Sequence, residues 1–164
     1  MAPTGRQWFD LTLGDMRAIA LGVKRAAPSL DVFLDAQLKR LGLGARALAL
    51  VGFSQGTMMA LAVGLKRNPA PAAIVGYSGA LATIEAPPKD PASAPAVLLV
   101  HGDMDEVIPV DALFIAREQL AQAGLPVEWH VAQGIGHGID GEGLRLGGAF
   151  LKQAFAAAQL TQGS

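Results

Sequence analysis

The 164-residue chain contains no cysteine, which excludes disulfides, thiolate nucleophiles and cysteine-ligated zinc. It is also poor in charge: charged residues make up 16% of the chain, the net charge is −1, and the Lys and Arg residues are scattered. Without a basic cluster, the sequence offers no electrostatic basis for binding nucleic acid or a membrane surface. The first residues lack a charged segment followed by an apolar stretch, so we expect a cytoplasmic protein.

Hydrophobic residues are abundant, at 51% of the chain, and can build the core of one domain spanning residues 1–164. One uncharged run, at 47–65, is long enough to suggest a membrane span. Its centre, however, holds Gly52, Ser54, Gln55, Gly56 and Thr57, where a spanning helix tolerates polar groups least. Two short buried elements joined by a tight turn explain this run better, so we expect no stable membrane insertion.

Short apolar runs alternate with helical patterns along most of the chain. Strands are predicted at 47–53, 72–77, 96–101 and 127–131, and helices at 57–67, 111–123 and 144–160. The alternation predicts an α/β fold with a mostly parallel sheet of about four strands and flanking helices. Reactive groups in such sheets gather beyond the carboxyl ends of the strands.

Three local features give more detailed expectations. Weak helical character at 15–26 is interrupted by Pro28, after which Ser29 is expected to cap a second helix at 30–41 that Gly42 closes. The apolar run at 47–53 predicts a strand that is buried on both faces. Asp111 is expected to cap the helix at 111–123.

The sequence Gly52-Phe53-Ser54-Gln55-Gly56 matches the pattern G-x-S-x-G between a predicted strand and a predicted helix. A serine on such a sharp turn is a candidate nucleophile, and side chains in place of the two glycines are expected to collide with neighbouring backbone. The backbone N–H of Gln55 would then lie at a helix N-terminus, where it can stabilise an oxyanion. The alternative is that Ser54 only caps this helix.

A serine nucleophile needs a base and a group that orients the base. Asp105 follows the predicted strand at 96–101 and is the candidate acid, with Asp103 as its local rival. His137 lies in a glycine-rich loop after the last predicted strand and is the candidate base. His101 is disfavoured as the base because it precedes the acid, whereas the expected chain order is serine, acid, histidine. His130 is disfavoured because it lies inside a predicted strand, where packing is the ordinary explanation for a histidine.

A metal site is the other chemistry that these residues suggest. His101, Asp103 and Asp105 alternate at a strand end and could crowd around a cation. The spacing offers no fourth protein ligand, so we expect neither a metal nor a cofactor.

Taken together, these segments make the chain similar to the bacterial carboxylesterase/phospholipase family of α/β-hydrolases, which includes acyl-protein thioesterases. The resemblance rests on Trp8-Phe9-Asp10, on the segment around Ser54, on His101-Gly102-Asp103-Met104-Asp105 with Ile108-Pro109, and on Gly136-His137. It implies a triad of Ser54, Asp105 and His137 that hydrolyses short- to medium-chain acyl esters or thioesters. Trp8, Met104 and Ile108 are candidate wall residues for the acyl group.

The chain departs from this family at its N-terminal side. The family carries a longer N-terminal part, whose His-Gly-Leu-Gly type of loop supplies a second oxyanion donor, and the sequence holds no equivalent. The strand at 47–53 would also lack its usual neighbour, so we expect a homo-oligomer formed through its exposed edge. The sequence leaves four alternatives for this chain: a fragment of a longer esterase, the product of a wrongly started reading frame, a minimal hydrolase, or a catalytically silent interaction domain.

Overall fold

The computed structural model describes residues 6–10, 14–82 and 94–160, and in these ranges four parallel strands form one sheet. The strands are β1 (Ala49–Phe53), β2 (Ala73–Tyr77), β3 (Ala96–Gly102) and β4 (Val127–Ala132). They lie side by side in chain order, so each crossover returns to the neighbouring position. The predicted parallel sheet is therefore confirmed.

Within the described ranges, four helices connect and cover the strands. They are α1 (Met16–Leu41), α2 (Gln55–Gly64), α3 (Asp111–Gln122) and α4 (Gly141–Leu160). A single 3₁₀ turn, Ala45–Ala47, precedes β1. No helix in the described ranges is both long and apolar enough to span a membrane, and the uncharged run at 47–65 folds as β1, a turn and α2.

The sheet has a helical layer on each face, because alternate strand residues point in opposite directions. Leu50, Ile74, Val97 and Leu99 pack with buried residues of α1, α2 and α3 on one face. Val75, Tyr77, Leu98 and Val100 pack with Phe150 of α4 on the other face.

The expectation that Pro28 separates two helices is wrong. Helix α1 runs without a break through Pro28, and its N-cap is Asp15, whose Oδ1 accepts a hydrogen bond from Ala18 N at 2.9 Å. A proline removes one backbone donor, but the buried stripe that includes Ile19, Val23 and Leu34 continues on both sides of it. Packing of this stripe outweighs the lost bond. The predicted end is confirmed, since Gly42 adopts the left-handed conformation at φ 65°.

Two further local expectations are also wrong. Strand β1 is not buried on both faces: it is an edge strand in the described sheet, and Val51 and Phe53 are 59% and 41% exposed. Both side chains lie on the α4 face of the sheet, beyond the residues that α4 covers.

Asp111 does not cap α3, because the N-cap is Val110 and Asp111 is the first helical residue. Its negative charge still suits a helix N-terminus.

Candidate active site

The turn between β1 and α2 holds Ser54 in a backbone conformation that is rare for a side-chain-bearing residue. Its φ is 54° and its ψ is −117°, and its N–H donates to the Tyr77 carbonyl at 2.9 Å. Ser54 occupies the N-cap position, but its side chain makes no capping hydrogen bond. The turn therefore presents a hydroxyl that is not used to cap the helix, at the carboxyl edge of the sheet.

The two glycines of the motif differ in their surroundings. A Cβ on Gly52 would stand 2.3 Å from the carbonyl carbon and oxygen of Gly56, so no larger residue fits there without a backbone shift. Around Gly56, apart from its chain neighbours and the backbone of its own helix, no heavy atom of the described residues lies within 4 Å of the corresponding position. The expected collision is confirmed at Gly52 and is wrong at Gly56.

Thr57 supports this turn from below, a role that the sequence analysis missed. It is 1% exposed, and its hydroxyl lies 2.9 Å from the Gly52 carbonyl oxygen and 2.8 Å from that of Tyr77. Gly79 makes room for it, because a Cβ there would stand 2.3 Å from the Thr57 Cβ. Thr57 thus links both ends of the Ser54 turn to β2. A threonine near the start of a helix carried no signal that pointed to these two carbonyls.

Asp105 and His137 are brought together by the loops that follow β3 and β4. Asp105 Oδ2 lies 2.8 Å from His137 Nδ1, and the two side chains are 0% and 20% exposed. A carboxylate only accepts hydrogen bonds, so Nδ1 carries the proton and Nε2 is left to accept another. The His137 ring lies 4.9 Å from the ring of Phe53, the residue before Ser54. A general base of the serine-hydrolase type uses this tautomer, and the ring lies beside the residue that precedes Ser54.

The Asp105 carboxyl is held in its ionised form. Its Oδ1 accepts hydrogen bonds from Val107 N and Ile108 N, each at 2.9 Å. Burial by itself raises the pKa of this carboxyl, but hydrogen bonds from the Ile108 N–H, His137 and the Val107 N–H outweigh burial and leave the pKa below its ordinary value. An ionised carboxylate can orient the imidazole and stabilise the imidazolium that forms during proton transfer.

His101 is a second imidazole beside this carboxylate. It is 2% exposed, and its Nε2 lies 2.8 Å from the Ile108 carbonyl oxygen and 3.3 Å from Asp105 Oδ2. A carbonyl only accepts, so Nε2 carries the proton and donates. His101 therefore supports the Asp105 turn from inside the protein. Among the described residues, no group of three His, Asp or Glu side chains is placed to hold a metal ion.

The loop after β3 carries Asp105 and is here called the acid loop (residues 103–110), and the loop after β4 carries His137 and is called the base loop (residues 133–140). The two loops are joined through their backbones. Met104 N donates to the Ile135 carbonyl at 3.0 Å, and Gly102 makes room for that oxygen, which would stand 2.1 Å from a Cβ. Asp103 lies outside the buried pair: it is exposed, and its Oδ1 accepts from Gly134 N at 2.7 Å. Of the two candidate acids, the structure thus pairs Asp105 with His137 and leaves Asp103 to fasten the loops.

Ser78, the residue directly after β2, fastens the base loop to that strand, and the sequence analysis did not predict this role. This serine is fully buried, adopts a φ of 46°, and donates its hydroxyl to the Gly138 carbonyl at 3.0 Å. A serine directly after an apolar strand carried no signal that distinguished it from an ordinary turn residue.

Comparison with known proteins identifies the family of this chain. The family model for phospholipases and carboxylesterases matches residues 1–154. The chain belongs to the phospholipase/carboxylesterase family. Its sheet and flanking helices are those of an α/β-hydrolase, as the resemblance implied.

Several family relatives are longer than this chain. Esterase YpfH of Escherichia coli is 32% identical over 148 residues, which cover 88% of this chain and 61% of the esterase. Acyl-protein thioesterase 1 of Gibberella zeae is 30% identical over 158 residues, covering 89% of this chain and 67% of the thioesterase. The crystal structure of esterase PE8 superposes with a TM-score of 0.82 at 39% identity, covering 92% of this chain and 71% of that structure.

The three candidate wall residues differ in exposure. Trp8 is 47% exposed and Met104 is 65% exposed, whereas Ile108 is 6% exposed and packs in the core with Met58 and Met59. Ile108 reaches the site through its backbone, which binds both Asp105 and His101. The backbone of Trp8 is bonded to the side chain of Gln55 at the start of α2. In this family member, Trp8 and Met104 are thus the more accessible candidates for contact with an acyl chain.

Proposed function

We propose that this chain is a serine carboxylesterase that hydrolyses short- and medium-chain acyl esters of small molecules. The observation that carries the proposal is the 2.8 Å hydrogen bond from His137 to the buried Asp105, beside a strained turn that presents Ser54. The family membership supports the same class of reaction. The proposed reaction uses no cofactor and no metal.

The reaction proceeds in two halves. The Ser54 Oγ attacks the ester carbonyl carbon while its proton passes to His137 Nε2, and a tetrahedral oxyanion forms. His137 then gives the proton to the departing alkoxide, which leaves as an alcohol, and the acyl group remains esterified to Ser54. Water repeats the sequence with His137 as base, releasing the carboxylic acid and restoring the serine. Asp105 stabilises the imidazolium in both halves.

The oxyanion is stabilised by the backbone N–H of Gln55, the first residue of α2. Loss of one donor from an oxyanion hole lowers the rate by about 10²- to 10³-fold.

The test is hydrolysis of p-nitrophenyl butyrate by the wild type and by Ser54→Ala and His137→Ala. Ser29→Ala and His130→Ala are the matched controls, because Ser29 is exposed on α1 and His130 is half-buried on β4. We expect both site variants to lose activity and both controls to keep it. Covalent labelling of Ser54 by a fluorophosphonate probe supports the enzyme. A folded wild type that neither turns over ester nor reacts with the probe would instead favour the catalytically silent domain.

Acyl-protein thioesterase activity is the second candidate, favoured by the 30% identity to the Gibberella zeae protein of that name. The same three residues would act, with a thiolate as leaving group. The two candidates are separated by comparing kcat/KM for an acylated cysteine peptide and for an oxygen ester of the same acyl length. A higher value for the peptide favours the thioesterase.

Self-association through β1 is also part of the proposal. This strand is an edge of the described sheet, and Val51 is 59% exposed on it. Light scattering of the wild type and of Val51→Lys tests the oligomer, with Val32→Lys on the surface of α1 as control. A one-chain mass for the wild type would contradict it. The cytoplasmic location stays a prediction.

A further inference from the structure

Residues 6–10 form a short segment whose backbone is bound by the side chain of Gln55, the residue after Ser54. Gln55 Oε1 accepts a hydrogen bond from Trp8 N at 3.1 Å, and Gln55 Nε2 donates to the Phe9 carbonyl at 2.8 Å. One carboxamide thus satisfies one backbone donor and one backbone acceptor of the segment. A carboxylate lacks the donor and a hydrocarbon lacks both groups, so glutamine suits this position chemically.

The same segment is anchored a second time by Phe9. Its ring packs against the core cluster that includes Ile19, Val23, Met58 and Met59. Helix α1 carries Gly22 at the contact, where a Cβ would stand only 2.6 Å from Phe9 Cδ2. With Phe9 seated in the core, the neighbouring Trp8 keeps a side chain that is 47% exposed. The anchors therefore hold the backbone of Trp8 against the side chain of Gln55, the residue that follows Ser54, and leave Trp8 exposed.

Gln55 consequently serves the site through two different groups. Its backbone N–H, at the start of α2, is the proposed oxyanion donor, and its side chain holds the segment that carries Trp8. We propose that the Gln55 carboxamide is a positioning residue that docks residues 6–10 against the Ser54 turn, so that Trp8 forms the wall for the acyl chain. The preferred substrates are then esters whose acyl chain is long enough to reach an indole, rather than acetyl esters. This inference rests on the proposed function.

The kinetic test compares p-nitrophenyl octanoate with p-nitrophenyl acetate in the wild type and Gln55→Met. The methionine keeps the backbone N–H and roughly the side-chain length, but it loses both hydrogen bonds. We expect the octanoate-to-acetate ratio of kcat/KM to fall by about tenfold, mainly through KM for octanoate, as the loss of one to two net hydrogen bonds implies. Gln122→Met is the matched control, since Gln122 is exposed on α3 and contacts Glu118. It should leave the ratio unchanged.

Two further variants separate positioning from general damage. Gly22→Ala displaces Phe9 without touching the nucleophile turn, and it should lower the same ratio. Trp8→Ala should lower the ratio too, and adding Gln55→Met to Trp8→Ala should lower it no further, because Gln55 acts through Trp8. Equal losses for both esters in Gln55→Met, or additive losses in the double variant, would overturn the inference.

A fluorescence measurement tests the docking independently of turnover. The chain has two tryptophans, so Trp129→Phe leaves Trp8 as the sole tryptophan, whose emission is excited selectively over that of tyrosine. In that background, Gln55→Met should shift Trp8 emission to the red and increase its quenching by iodide, while Gln122→Met should change neither. An unchanged emission would refute the docking. A wild type without esterase activity would refute the proposed function, while Trp8 emission would still decide the docking.

Discussion

Replacing Asp105 with asparagine changes one buried oxygen into an NH₂ group, and the structure determines which one. Two backbone N–H groups donate to Oδ1, each at 2.9 Å, so the amide oxygen of Asn must face them. The NH₂ group then faces His137 Nδ1 and lies near the protonated Nε2 of His101. Two donors cannot bond each other, so Nδ1 of His137 becomes the acceptor and its proton moves to Nε2. The imidazole then has no lone pair left for the Ser54 proton.

The expected magnitude follows from this forced tautomer. In serine proteases the same exchange lowers kcat about 10⁴-fold while leaving the geometry intact. We expect a loss of about 10³- to 10⁴-fold in kcat for Asp105→Asn. The free energy of unfolding should fall by only about 1.5–3 kcal/mol, the usual contribution of a hydrogen bond to a charged group.

The assay is p-nitrophenyl butyrate hydrolysis at neutral pH, with unfolding followed by urea titration. Asp103→Asn is the matched control, since this exposed carboxylate accepts from Gly134 N and lies two residues away. It should stay within about threefold of wild type, because its Oδ1 position can remain an amide oxygen. If Asp105→Asn kept activity within tenfold of wild type, the assignment of Asp105 as the orienting group would be wrong.

Three other outcomes are expected. The pKa of Asp105 is lower in the folded state than in the unfolded state, so ionisation of this carboxyl stabilises the fold above the unfolded pKa of about 4. This contribution is lost as the pH falls through the folded pKa. In urea titrations, the difference in free energy of unfolding between wild type and Asp105→Asn should therefore shrink below about pH 4 and not grow. Gly52→Ala should lower the free energy of unfolding by about 1–3 kcal/mol or more through its 2.3 Å clash, whereas Gly56→Ala should not lower it; equal thermal shifts for the two would contradict the difference in packing. The side chain of Arg67 is 10% exposed and pairs with Asp31 and Asp35 of α1. Arg67→Met should therefore lower the free energy of unfolding by about 1 kcal/mol, and 1 M salt should reduce this difference between variant and wild type.

The parallel sheet could be predicted because alternating strand and helix patterns permit few topologies. Helix α1 could not, since a local rule about Pro28 competes with an apolar stripe whose packing on α2 is visible only in three dimensions. The exposure of Val51 escaped for a similar reason: an apolar run predicts a strand but does not show whether a neighbour covers it.

In the site, the pairing of Asp105 with His137 agrees with the sequence prediction because each residue follows a strand in a recognisable motif. The sequence did not predict the two hydroxyl groups that support the site. Thr57 and Ser78 bind backbone carbonyls up to 20 and 60 residues away, and any residue type offers such a carbonyl. Contacts of this kind leave no pattern in the sequence, so only the folded chain shows them.

The backbone interlock between the acid and base loops has a consequence for how this protein can diverge. The link between Met104 and Ile135 joins an amide to a carbonyl, so neither side chain is needed to keep it, whereas Gly102 must remain without one. A substitution at position 104 therefore changes a residue that is 65% exposed and next to Asp105 in the chain, while the hydrogen bond between Asp105 and His137 is kept. On the proposed assignment of Met104 as a wall residue, substrate preference can change at this position while Asp105 and His137 keep their hydrogen bond.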